Sequence, residues 1–112
     1  MTENTTLPLR PDVSVKEEFN RFRQVVRRIY YQKKTFQEEG KESETEEIKI
    51  IPGKFTYGGI VDALVTKEYP IDVMQAVQNN YLLDPVTYKS EFDLMQAWRA
   101  EAKEIAKAAI EY

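Results

Sequence analysis

The sequence predicts a mostly α-helical fold, a small bundle of about four helices, and three observations carry that expectation. Apolar residues step by three and four along residues 15–36 and again along 95–112. Two shorter segments between them, about 57–68 and 71–82, each gather their apolar residues on one side. Prolines stand where those segments should begin or end. The two long helices are expected at about 15–38 and 87–111, with one short strand near 48–51.

The chain divides into a flexible arm (1–13), a long basic amphipathic helix (14–38), an acidic linker (39–47) and a compact helical domain (48–112). In the arm, Pro8 and Pro11 oppose helix. Ser14 and Glu17 then make a capping-box pattern at the start of the first helix. Val15, Phe19, Phe22, Val26, Ile29, Lys33 and Phe36 repeat at heptad spacing, Lys33 being the interruption. Such a seam needs another helix, in this chain or in a second copy. Three heptads sit at the lower limit for a coiled coil, so core packing in a bundle or dimer and an extended coiled coil both fit.

The linker QEEGKESETEE is acidic and contains Gly and Ser. Ile48, Lys49 and Ile50 alternate before Pro52-Gly53, which suits a short strand ending at a turn. A single strand leaves its amides unsatisfied and requires a partner strand. Thr56 is a suitable cap for the next helix. Ile60, Val61, Leu64 and Val65 form its apolar face, and Tyr69-Pro70 stops it. Val73, Met74, Val77 and Tyr81 line the third helix. Asp84-Pro85 opens the last, where Met95, Trp98, Ala102, Ile105, Ala109 and Tyr112 repeat the three-four step. Its alanines favour helix and allow a neighbour to approach closely.

Composition removes much chemistry. The 112 residues suit one domain with tails, and such a chain buries only roughly 65 % of its unfolded surface, so shared burial with a partner is valuable. There is no cysteine and no histidine, which excludes disulfides, thiol nucleophiles and the commonest metal ligand. No metal and no cofactor is expected. Asp62, Asp72, Asp84, Glu91, Asp93 and Glu101 show no spacing for paired-carboxylate hydrolysis and are assigned to the surface and to caps. The segment Lys54–Ile60 places glycines before a helix but lacks the phosphate-loop patterns, so its glycines serve a turn or close packing. An enzyme is not expected. No apolar run reaches the ~20 residues of a membrane span, and Met1–Thr6 lacks the apolar segment of a signal peptide. The expected location is cytoplasmic, in a host cell or a virion, with no membrane partner.

Two candidate contact surfaces remain. Phe19, Phe22, Val26, Ile29, Tyr30 and Tyr31 form a candidate partner or oligomer interface, with one of the two adjacent tyrosines necessarily turned from the core. Arg21, Arg23, Arg27, Arg28, Lys33 and Lys34 form a candidate basic patch. Residues 10–34 hold eight basic and three acidic side chains, against two and six in 35–50. The patch suits phosphate backbones or an acidic partner; equally, it is a solvated face balanced by the linker. Net charge is −3, so nucleic acid is the less favoured partner.

Residues 50–112 resemble a group of small, largely uncharacterised helical proteins encoded by phages and prophages of gut bacteria. Tyr57, Ile60, Val61, Ala63, Leu64, Tyr69, Ala76, Asn79, Asn80, Tyr81, Phe92, Trp98, Ala102 and Lys103 carry the likeness. It implies an accessory or virion-associated role and transfers no catalytic residue. The expected function is therefore non-enzymatic protein–protein association through the first helix. The alternatives are a nucleic-acid-binding regulator using residues 21–34, and a small inhibitor of a host protein that presents the acidic stretch 38–47.

Overall fold

The segment expected as the first long helix is a β-hairpin. In the computed structural model, which describes residues 10–36 and 44–112, β1 (Ser14–Phe19) and β2 (Val25–Gln32) pair antiparallel. Val15 stands opposite Ile29, and Phe19 opposite Val25. The reason lies in composition. Val25, Val26, Ile29, Tyr30 and Tyr31 supply five β-branched or aromatic side chains among the eight residues of β2, types that fit a pleated surface and lose rotamer freedom in a helix. A step of four keeps two residues on one face of either a helix or a strand, so Val15 and Phe19 satisfied both periods. The steps of three ran across the turn or across the sheet. The heptad seam, the coiled coil and the four-helix bundle are thereby corrected to an α+β fold.

β3 (Thr45–Ile50) pairs antiparallel with β2, setting Ile48 opposite Ile29 and Ile50 opposite Arg27. The sheet order is β1-β2-β3. The strand expected near 48–51 thus starts earlier and absorbs the end of the expected linker. Residues 37–43 and the arm residues 1–9 lie outside the described residues. At the end of the expected flexible arm, Arg10 and Val13 are buried.

The helices are α1 (Tyr57–Glu68), α2 (Ile71–Leu83) and α3 (Lys89–Ile110). Thr56 caps α1, its hydroxyl accepting from Gly59 N at 3.0 Å. A Cβ on Gly59 would lie 2.3 Å from the Lys54 carbonyl oxygen, so only glycine fits that turn. One face of the sheet packs against α1 and α3. Val13, Ile29, Tyr31 and Ile50 meet Ile60, Leu64 and Val65 from α1, and Trp98, Ala102, Ile105, Ala106 and Ala109 from α3. The three-four stripe of α3 is buried through Ala109, but it faces the sheet and α1 rather than another long helix; Tyr112 is exposed. Trp98 donates its indole N–H to the Leu64 carbonyl at 3.0 Å, which satisfies the one polar group of that fully buried ring. α2 packs mainly on the start of α3, where Tyr81 stacks on Phe92 with centroids 4.0 Å apart.

Candidate binding surface

The hairpin scatters the two sequence-predicted clusters. Ile29 and Tyr31 are core residues, and Val26 is buried outside the helix-packed core. By strand alternation Val26, Arg28 and Tyr30 share the face away from the helices, where Tyr30 is half-buried. Tyr30 is therefore the tyrosine turned from the core. Phe19 and Phe22 are 72 % and 67 % exposed.

The basic patch is taken apart in the same way. Arg27 pairs with Glu17 at 3.3 Å and lies over the Phe55 ring at 4.5 Å. Arg28, on the opposite face, pairs with Glu18 and with Glu47. Its hydrogen bond holds the Glu18 carboxyl below its ordinary range, helped by the charges of Arg28, Lys16 and Lys49. Lys33 bridges Glu46 at 3.1 Å and Glu68 at 3.0 Å. Lys34 has an exposed side chain, and its backbone N–H donates to Glu101. Of the acidic stretch, Glu46 pairs with Lys33 and Lys67, and Glu47 pairs with Arg28; the rest of 38–47 falls mostly outside the described residues.

Arg21 and Arg23 remain. Among the described residues neither forms an ion pair. They flank Phe22 on the β1–β2 turn, and the Arg21 guanidinium sits 4.9 Å from the Phe22 ring centroid. The turn is braced by one side chain. Asn20 Oδ1 accepts from Phe22 N at 2.8 Å and Gln24 N at 3.0 Å, while Arg23 N donates to the Asn20 carbonyl at 2.9 Å. Arg23 has φ 62°, the left-handed region. A three-residue hairpin loop asks for that conformation, and glycine adopts it most cheaply. Here an arginine occupies it, so the tip carries a cation at a local cost on the order of 1 kcal/mol.

The open sheet face shows a second arrangement. Lys16, Arg28 and Lys49 stand opposite one another across the three strands. Like charges directly opposed destabilise a sheet, and the Glu18 and Glu47 contacts to Arg28 offset this. A depression of about 200 Å3 lined by Glu18, Val26, Arg28 and Lys49 lies beside the tip. Another, of about 350 Å3, lies between the end of β3 and α1, lined by Lys49, Lys54, Gly59 and Asp62.

The α2–α3 turn exposes Leu82, Leu83 and Val86 by 78 %, 85 % and 88 %. Asp84 lies between them. Its carboxyl is held below its ordinary range by hydrogen bonding to Thr87. Glu91 borders the same turn and accepts from the Asn80 side chain.

The principal buried polar cluster escaped sequence reasoning. Arg10 grips Asp12 with two hydrogen bonds of 3.0 Å and donates to Glu101 at 2.9 Å. Glu101 also accepts from Lys34 N at 2.8 Å, Thr35 N at 2.7 Å and the Thr35 hydroxyl. Burial works to raise the Glu101 carboxyl, but these bonds and Arg10 bring it below its ordinary range. Burial opposes ionisation of Asp12 too, yet Arg10 and Gln32 N hold it at about 2. Every partner is satisfied within the chain, so the cluster fastens α3 to both ends of the hairpin and has no spare group for chemistry. Its only sequence signal was a charged residue, Glu101, beside the apolar stripe of α3.

Among the described residues, no group of three or more His, Cys, Asp or Glu side chains could hold a metal ion, and no helix is long and apolar enough to cross a membrane. No family model, curated protein or solved structure matches the chain.

Proposed function

We propose that this is a non-enzymatic interaction module that docks on an acidic, partly apolar protein surface through the β1–β2 hairpin tip. The observation that carries the reading is the Asn20-braced turn: it presents Arg21, Phe22 and Arg23 together, with both aromatics of the tip exposed. Arginine and large aromatics are the residues that most often dominate binding energy. A turn already fixed by hydrogen bonds loses little further freedom on docking. The cytoplasm or a phage particle, in an accessory or virion-associated role, is the setting this reading takes from the sequence resemblance.

The test is site-specific photo-crosslinking from benzoylphenylalanine at position 22 in cells that make the protein. A protein adduct is expected, lost when Arg21 and Arg23 are both changed to Glu. No adduct, or one that survives both changes, contradicts the reading.

A second reading has one observation in its favour, the Lys16–Arg28–Lys49 row, which suits a phosphate backbone. It predicts binding to a single-stranded oligonucleotide that weakens steeply with salt and is lost in K16Q/K49Q. Binding unaffected by those changes excludes it.

A further inference from the structure

The exposed α2–α3 turn is the counterpart of the hairpin tip in both charge and polarity. The tip offers two arginines beside an exposed phenylalanine. The turn offers two carboxylates, Asp84 and Glu91, around an aliphatic surface. Its neighbour Lys89 is neutralised by Asp93, so the local charge is negative. Leu82, Leu83 and Val86 are each more than three-quarters exposed within a five-residue span. Exposed aliphatic side chains grouped this closely along the chain suit an interaction site. Among the described residues neither surface is covered: the hairpin pairs with β3, and α2 rests mainly on α3.

We infer that the occupant of the α2–α3 turn is the hairpin tip of a second copy of this chain, Phe22 seating on Leu82, Leu83 and Val86 while Arg21 and Arg23 meet Asp84 and Glu91. This rests on the docking role proposed for the tip and names its partner. The contact is heterologous, because one surface meets a different one. A pair joined this way keeps one free tip and one free turn, so association continues into a ring or a filament rather than stopping at two. Exposed charge pairs are screened by salt, so added salt weakens the contact while the apolar part persists.

The experiment is sedimentation velocity on the full chain and on two variants, F22D and L82D/L83D. Wild-type protein is expected to grow beyond dimer with concentration, and each variant to stay monomeric. An equimolar mixture of the two variants is expected to form dimers and nothing larger, since one intact tip and one intact turn remain. F22Q and L82Q/L83Q, read beside circular dichroism, separate lost docking from lost folding. Wild-type protein that stays monomeric at every concentration, or a mixture that does not pair, overturns the inference. If position 22 still crosslinks to a different protein, the docking role of the tip stands and only the second copy is wrong. If position 22 crosslinks to no protein, the docking role itself fails.

Discussion

At the scale of single residues, the chain is fastened by one buried arginine. Removing Arg10 leaves Glu101 ionised and facing Lys34 and Thr35 without its counter-charge, and breaking a buried pair costs on the order of 3 kcal/mol. Arg10→Ala should therefore lower stability by about that amount in urea unfolding. Both carboxyls sit below their unfolded values, so their contribution is complete above the ordinary carboxylate range and is lost as pH falls. For Asp12 that window runs from its ordinary value of 3.8 down to about 2. Stability measured through this window should fall toward acid, and the fall should shrink in Asp12→Asn. Gly59→Ala meets the Lys54 carbonyl and should destabilise by roughly 1–3 kcal/mol. Arg23→Gly should do the opposite. It removes left-handed strain and should raise stability by about 0.5–1 kcal/mol, while weakening docking. A variant more stable in thermal melts yet poorer at docking would separate the two demands on that position.

At the scale of elements, the helices after residue 56 were legible and the hairpin was not. Thr56, Tyr69-Pro70 and Asp84-Pro85 punctuate α1, α2 and α3 with signals that act locally, so their positions follow from neighbouring residues. The β1–β2 turn carries no glycine. Its left-handed residue is Arg23 and its brace is the Asn20 side chain, so the usual turn signature was missing and the three-four spacing prevailed. The β-branched and aromatic run in β2 was the signal that spacing overrode. The Arg10–Glu101 contact was illegible for another reason: its partners are 91 residues apart, and only the tertiary fold joins them. Of the candidate site, Phe19, Phe22, Arg21 and Arg23 were named from sequence, but as members of helix stripes; the turn that groups them was not. The brace is itself testable. Asn20→Ala removes the acceptor for two backbone N–H groups and should speed amide exchange at Phe22 and Gln24, with a stability loss of about 1 kcal/mol.

At the scale of the whole molecule, the fold separates its tasks. One face of the sheet and two helices bury the core around Trp98, and truncating that ring to alanine should cost about 3–5 kcal/mol. The edge strands β1 and β3 carry Lys16, Glu17 and Glu18, and Glu46, Glu47 and Lys49, charges that oppose indiscriminate strand addition. In the proposed reading, contact falls to the cationic aromatic tip and the acidic aliphatic turn. The most direct measurement is amide exchange of the full chain at low and at high protein concentration. Slower exchange confined to residues 20–24 and 82–87 at high concentration is the expected result. Exchange that is unchanged in both segments while the chain gains mass through another surface would contradict contact through the tip and the turn.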